Sequence, residues 1–459
     1  PLLLLAADTA AGAVLSNFRI DQAQAVASVG AVSERLYSPA SAVADAERAY
    51  RRAQFERRPI VLMMPLDVLA DDCPEPNLLA NERPNLQSVR PAAAALHEAA
   101  AALAHAHRPL LLAGRGAVLA DAREPLERLA DHVGALLATS AVANGFFAGS
   151  PWSLGISGGF ASPVAAELIA EADVVLACGV ALNMWTTRHA RLLHPHATVV
   201  QIDHEAEAIG MHHRVDIGVL GDVAEATHGI LEQLQQRGST VSGWRTPELA
   251  EHIGAGAWHG TPFEDAGDGA HIDPRTLSIA LDAVLPAERT VATDSGHFMG
   301  YPAMYLRVPD AQGFVFTQAF QSVGLGLATA IGAAIARPDR LTIAALGDGG
   351  TLMALSELET VARLALRMLI VVYNDAAYGA EVHHFGPHGA SLGLVRFPDV
   401  DFAALGRAAG LEGTTVRQRS DLQAVEFWLA RGAARPLIVD AKVVPTVVAE
   451  WLEEAFRGH

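Results

Sequence analysis

Cysteine is nearly absent: Cys73 and Cys178 are the only two in 459 residues. They are too few for a disulfide framework and too far apart for metal-type spacing, which fits a reducing compartment and makes a cytoplasmic location the expectation. Positive charge is scarce as well. Against 51 Asp and Glu stand 33 Lys and Arg, a formal net charge of −18. That balance argues against nucleic acid and anionic membrane as partners. An anionic ligand would need a metal, a helix N-terminus or a local basic residue beside it. No apolar run approaches the roughly 20 residues of a membrane-spanning helix. The start, Pro1-Leu2-Leu3-Leu4-Leu5, lacks both an initiating Met and the basic n-region of a signal peptide. Leu2–Ala7 before Asp8-Thr9 reads instead as a buried strand entered part-way through a domain, so the natural protein is expected to extend further at this end.

What is present is apolar sequence in short runs. The chain is 51% hydrophobic and 18% charged, a globular composition with enough length for two or three domains. Runs such as Leu110-Leu111-Leu112, Val174-Val175-Leu176 and Val199-Val200-Gln201-Ile202 alternate with Ala-rich helical stretches. Continuous apolar strands separated by helices predict an α/β fold of doubly wound parallel sheets, covered on both faces. Composition divides the chain into three such domains. Residues 1–68 hold strands at Leu2–Ala7 and Pro59–Met64 with helical sequence around Ala42–Gln54. Residues 69–92, rich in Pro, Asn and Asp, read as a linker, residues 93–240 as a central domain, and 241–272 as a second, irregular linker. Residues 273–445 form the third domain and 446–459 a tail.

The third domain carries the most informative pattern. Leu341-Thr342-Ile343-Ala344-Ala345-Leu346 ends in Gly347-Asp348-Gly349-Gly350, and Met368–Tyr373 ends in Asn374-Asp375-Ala376-Ala377-Tyr378-Gly379. Two buried parallel strands would each end in a carboxylate at the carboxyl edge of one sheet, where ligands bind in open α/β folds. Glycines there allow close backbone approach. Asp348 and Asp375 supply hard oxygen ligands suited to Mg²⁺ bridging to phosphate.

This two-part pattern resembles the diphosphate-binding signature of the thiamine-diphosphate-dependent enzymes, acetolactate synthase-like in particular. Gln321-Ser322-Val323-Gly324-Leu325-Gly326 looks like the segment that precedes the signature, and Thr293-Asp294-Ser295-Gly296-His297-Phe298 like the strand-end loop that touches the diphosphate. The resemblance covers the whole chain in the order pyrimidine-binding domain (its C-terminal part), central nucleotide-fold domain, diphosphate-binding domain. It implies thiamine diphosphate and Mg²⁺ as cofactors. Asp348, Asp375 and the backbone carbonyl of Ala377 would hold the metal. Gly296, His297, Phe298, Gln321, Ser322, Val323, Gly347, Asp348, Gly349, Gly350, Asp375, Ala377, Tyr378, Gly379 and Ala380 would surround the cofactor. The family more often has Asn at the position of Asp375.

Three departures qualify the match. Val323 stands where the family places a large apolar wedge beneath the thiazolium ring, and a plain core valine is the alternative. Ala380 and His384 occupy positions where acetolactate synthases carry Met and Trp. His383 and His384 are candidate proton donors or acid-binding groups, against the alternative that they share a helix of which one side faces the pocket; with His388 they do not form metal spacing. The activating glutamate of the family has no counterpart: Glu34, Glu47 and Glu56 lie in charged, helix-like sequence and read as solvated. In the central domain Gly114-Arg115-Gly116 follows a strand but lacks the third glycine of a dinucleotide turn. Some acetolactate synthases hold FAD here, with Trp185-Thr186-Thr187-Arg188 nearby, and a purely structural domain is the alternative. Gly158-Gly159 reads as loop punctuation.

The resemblance therefore implies a carboligase or lyase acting on a 2-oxo acid, acetolactate synthase-like. The alternatives are a benzoylformate decarboxylase-like 2-oxo acid decarboxylase and a non-catalytic member that keeps the fold. A homodimer or homotetramer with sites between subunits is implied as well.

Overall fold

The computed structural model describes residues 1–73, 88–238, 241–316 and 322–455. The chain divides into two compact units, Pro1–Leu86 and Gln87–His459. Among the described residues no helix is long and apolar enough to cross a membrane.

The first unit is a three-stranded parallel sheet, β1 (Leu2–Asp8), β2 (Val32–Arg35) and β3 (Pro59–Pro65), in the order β1-β3-β2. Pro59–Pro65 is central and buried, and Ile60 and Leu62 pack against Ala49 and Ala53 of the helix Ala42–Glu56. Two expectations change here. β1 is a strand, but an edge strand whose Leu2, Leu4 and Leu5 are exposed rather than buried. Glu34 belongs to β2, not to a helical stretch. Its side chain is only 9% exposed, and its carboxylate is held by Arg48 and Arg52 from Ala42–Glu56. A solvated face does not describe it.

The second unit contains two six-stranded parallel sheets. One is built from β4 (Pro109–Ala113), β5 (Leu136–Thr139), β6 (Ser153–Ile156), β7 (Val174–Cys178), β8 (Thr198–Asp203) and β9 (Ile217–Leu220), in the order β6-β5-β4-β7-β8-β9. The other is built from β10 (Arg289–Thr293), β11 (Phe314–Phe316), β12 (Leu341–Gly347), β13 (Met368–Asn374), β14 (Glu412–Val416) and β15 (Leu437–Lys442), in the order β11-β10-β12-β13-β15-β14. Every residue of β4, β7, β10 and β13 is buried. Helices cover both faces of each sheet, so β4 and β7 are wholly apolar, while β10 buries Arg289, Thr290 and Thr293 and β13 ends in Tyr373 and Asn374. The α/β reading with doubly wound parallel sheets thus holds.

Strand order reverses between β4 and β7 in one sheet and between β10 and β12 in the other. Loops leaving such neighbours run to opposite faces and open a crevice at the carboxyl edge. The segment 241–272, expected to be irregular, contains a helix, Pro247–Ala255. Thr246 caps it through its hydroxyl and Pro247 opens it. The tail contains a further helix, Glu450–Ala455, whose Trp451 and Leu452 are buried in the same core as β12 and β13.

Candidate functional site

The site is assembled at the crevice between β10 and β12, with β13 beside it. Gly347 pairs with Tyr373 in register, so Asp348 and Asp375 emerge from adjacent strand tips. A short helix, α1 (Asp348–Met353), begins at once after β12. After β13 the chain makes a turn stabilised by Asn374, whose side-chain carbonyl accepts the Ala376 N–H at 3.2 Å. The Asn374 amide is itself anchored, donating to Asp440 Oδ1 at 2.9 Å and to the Val400 carbonyl at 3.1 Å. Asp440 is in turn paired with Lys442, the single lysine of the chain, at 2.9 Å.

Ala376 has φ +56°, a left-handed conformation that costs a non-glycine residue about 1 kcal/mol. The turn aims the next N–H back at the strand tips. The Ala377 N–H donates to Asp348 Oδ2 and to Asp375 Oδ1, at 3.2 Å each. One N–H shared by two carboxylates places them side by side. Asp348 Oδ1 also accepts the Gly349 N–H at 2.7 Å. Among the described residues the Ala377 carbonyl accepts none of the loop's backbone hydrogen bonds. Two glycines are required by contact: a Cβ on Gly349 would strike the Tyr378 ring, and one on Gly379 would lie 2.5 Å from Asp375 Oδ2.

These carboxyls line a cavity of about 180 Å³. Burial raises the pKa of Asp348, against the pull of the Gly349 and Ala377 N–H groups. Burial raises Asp375 too, and the adjacent Asp348 charge adds to it. Among the described residues no Lys or Arg lines the cavity. Two desolvated carboxylates without a cationic partner form an unfavourable pair, and a divalent ion with oxygen preference resolves it. Among the described residues no group of three or more His, Cys, Asp or Glu side chains is placed to hold a metal. The set available is two carboxylates plus the Ala377 carbonyl, which leaves positions open for oxygen atoms of a ligand.

Gly296, His297, Phe298, Val323, Gly347, Gly349, Gly350, Tyr378, Gly379 and Ala380 line the same cavity as the two aspartates. Ser322 is half-buried beside Val323 but is not part of the lining. Gln321 lies outside the described residues. His297 is buried, and its Nε2 accepts the Ala449 N–H at 2.9 Å, which leaves the ring proton on Nδ1. Burial, then the neighbouring His383, push its pKa down to about 3, so it is neutral. The His383 ring packs against it in a tilted arrangement, with ring centroids 4.5 Å apart and an interplanar angle of 48°. His384 is not part of the lining, and its ring rests against Phe385 and His388.

Four contributors had no role assigned from the sequence. Asp294 is buried and accepts N–H groups from Ser295 at 2.8 Å and Gly324 at 3.0 Å, tying the end of β10 to the turn that presents Val323. An Asp directly after a strand and before Ser was a usable cap signal. Glu381, on α2 (Gly379–Phe385), puts a third carboxylate on the cavity. Trp451 and Leu452 line it from the tail, and no local pattern marks a residue that reaches a site from so far along the chain.

A second cavity, of about 300 Å³, lies at the β4–β7 crevice and includes Arg115, Ser140, Asn183 and Trp185. It tests the nucleotide reading of Gly114-Arg115-Gly116. The Gly114 N–H donates to the Cys178 carbonyl at 3.0 Å and the Gly116 N–H to the Gly179 carbonyl at 2.9 Å. A Cβ on either glycine would collide with Gly179. These glycines let two loops touch, and the N–H groups that would cradle a phosphate are engaged. Arg188, expected near a flavin, is spent on the Gly158 and Ala161 carbonyls at 2.9 and 3.0 Å. The residues present do not fit the pyrophosphate of FAD.

Family comparison agrees with this geometry. Residues 96–230 match the model of the thiamine pyrophosphate enzyme central domain, and residues 294–441 that of the thiamine pyrophosphate enzyme C-terminal TPP binding domain. The chain belongs to the thiamine-diphosphate-dependent enzymes. Among its relatives is the sulfoacetaldehyde acetyltransferase of Alcaligenes xylosoxydans xylosoxydans, 29% identical over 68% of this chain and 56% of that protein. The acetolactate synthase large subunit of Parasynechococcus marenigrum is 28% identical over 73% of this chain and 54% of the relative. A putative acetolactate synthase large subunit of Mycobacterium tuberculosis is 27% identical over 97% and 82%. The chain thus spans little more than half the length of the first two.

Proposed function

We propose that this member of the family carries the thiamine-diphosphate and Mg²⁺ site of a carboligase or lyase acting on 2-oxo acids, of acetolactate synthase type. The observation that carries the proposal is the pair of buried, unneutralised carboxylates, Asp348 and Asp375, joined by the Ala377 N–H at 3.2 Å to each. Asp348, Asp375 and the Ala377 carbonyl would hold the metal, with phosphate oxygens completing its shell. When bound, thiamine diphosphate supplies an electron sink for bond cleavage next to a keto carbon.

The chain's own groups do the rest. Gly349 and Gly379 let the Tyr378 ring and the Asp375 carboxyl pack tightly around the loops that would hold the diphosphate. Asp294 fixes the turn that offers the Val323 side chain and N–H to the cofactor. Tyr301, Tyr373 and Trp451 give the cavity apolar walls that exclude water. Neutral His297 presents an Nδ1–H. Glu381 is the lining carboxyl not committed to the metal and is the group suited to hand a proton to the reacting substrate, with His383 behind His297. His384 is a weaker candidate because of where its ring packs. A homodimer or homotetramer with shared sites remains part of this proposal.

Decarboxylation with release of an aldehyde is a second reading, favoured by Glu381 as a proton source. Acetyl transfer is a third, suggested by relatives named sulfoacetaldehyde acetyltransferase. Product analysis with pyruvate separates them: acetolactate supports carboligation, free aldehyde supports decarboxylation. Calorimetric titration with thiamine diphosphate tests the foundation. Saturable binding that requires Mg²⁺ and is lost in Asp348→Asn is expected, and metal-independent binding overturns the site assignment. Tight binding with no turnover of any 2-oxo acid would leave the non-catalytic reading.

A further inference from the structure

The second cavity has a donor set that the thiamine chemistry does not use. Among the described residues its lining contains Arg115 and no Asp or Glu, in a chain with a net charge of −18. The Arg115 side chain is exposed and enters no ion pair or hydrogen bond among the described residues. Asn183 lines the cavity with its amide orientation fixed. Its Oδ1 accepts the Trp185 N–H at 3.1 Å and the Thr186 N–H at 3.0 Å, which leaves the NH₂ as the uncommitted half. An uncommitted guanidinium and an uncommitted amide NH₂ on one cavity, with no carboxylate in the lining among the described residues, point to a missing acceptor-rich ligand. The remaining wall is apolar: Val142, Phe160, Val180 and Phe316.

We infer that this cavity binds a small organic anion, a carboxylate on a compact apolar body, with the carboxylate at Arg115 and Asn183 and the body against Phe160 and Val180. The volume suits a ligand of that size and lies at the low end for small-molecule sites. The engaged Gly114 and Gly116 N–H groups exclude a dinucleotide. Trp185, Met299 and Trp451 line both cavities, so an occupant here rests on the wall of the proposed reaction site. The inference does not depend on the thiamine reading.

The carboxylate could be a 2-oxo acid or an acid without a keto group. Calorimetric titration of the whole chain with phenylpyruvate and with 3-phenylpropionate distinguishes them. Saturable binding of both is expected, weakened about tenfold in Arg115→Ala, the loss typical of a charge-assisted hydrogen bond. Binding of phenylpyruvate alone, equally weakened, supports the inference and identifies the keto oxygen as recognised. Arg115 is exposed, so its variant should unfold at the parent temperature; Val142→Trp, which fills the cavity, gives a second test by abolishing binding. The same titration in Asp348→Asn should be unchanged, which separates this site from the metal site. Failure of both acids to bind, an unaltered affinity in Arg115→Ala, or displacement by equimolar FAD overturns the inference.

Discussion

Two cavities of the Gln87–His459 unit occupy equivalent places and have opposite chemistry. Each lies at the carboxyl edge of a six-stranded parallel sheet, where strand order reverses, between β10 and β12 in one case and β4 and β7 in the other. Among the described residues one is lined by Asp348, Asp375 and Glu381 with no Lys or Arg, the other by Arg115 with no Asp or Glu. Both crevices contain glycines that a side chain would obstruct. At Gly349 and Gly379 the missing Cβ makes room for the Tyr378 ring and for the Asp375 carboxyl beside the paired aspartates, whereas at Gly114 and Gly116 it lets two protein loops touch. Topology therefore creates the opening, and the loop residues decide what enters.

The contrast can be broken most severely at the paired aspartates. Asp348→Asn with Asp375→Asn should abolish Mg²⁺-dependent thiamine diphosphate binding, a loss of more than about a hundredfold, since metal sites depend on ligand charge. Binding of 3-phenylpropionate should be untouched. If both titrations fail together, the cavities are not independent. Asp375→Asn alone keeps an oxygen ligand and should cost much less.

Acidity offers a second lever. The folded-state pKa values of Asp348 and Asp375 are raised, so their contribution is most favourable at low pH. It is lost as pH rises from the ordinary carboxylate range, about 4, through the raised values. Without metal the chain should therefore lose stability over that window, and the increase in Tm given by Mg²⁺ should grow with pH. A Mg²⁺ effect independent of pH would mean that the ion binds elsewhere. His297 has the opposite sign. Its folded pKa is depressed to about 3, so its contribution is present above about 6.5, the unfolded value, and falls away as pH drops toward 3. His297→Gln should flatten that part of the acid-stability profile.

Smaller effects sharpen the comparison within each cavity. Gly349→Ala should lower stability by about 1–3 kcal/mol, as overpacking does, because the Tyr378 ring must move. Chemical denaturation measures this. Ser140→Ala removes a buried hydroxyl with no hydrogen-bond partner among the described residues and should raise stability by about 1 kcal/mol, again read by chemical denaturation.

Much of the reaction cavity was legible because its residues come in contiguous blocks at strand ends. Gly347–Gly350, Asp375–Ala380 and Gly296–Phe298 each follow an apolar run whose end can be read directly. Glu34 was misplaced because four residues of strand, flanked by charges, carry too little periodicity to separate from a helix. The helix Pro247–Ala255 was missed because its Thr-Pro start sits among Gly and Trp residues that resemble a linker. Ser322 shows the limit of contiguity: it adjoins Val323, yet only Val323 lines the cavity.

The sequence by itself determined the parallel α/β architecture, since uninterrupted apolar runs leave no solvent face, and the placing of two aspartates at strand tips, since each run ends in one. Only the tertiary structure decided that strands β12 and β13 are neighbours, so that the two carboxylates meet and lack a cation. It also decided that the Gly114 and Gly116 N–H groups are consumed by Cys178 and Gly179, and that Trp451 walls both cavities. Those facts depend on which backbone groups and side chains meet across dozens or hundreds of residues, and hydrogen-bond satisfaction between such partners is fixed by packing rather than by any local pattern.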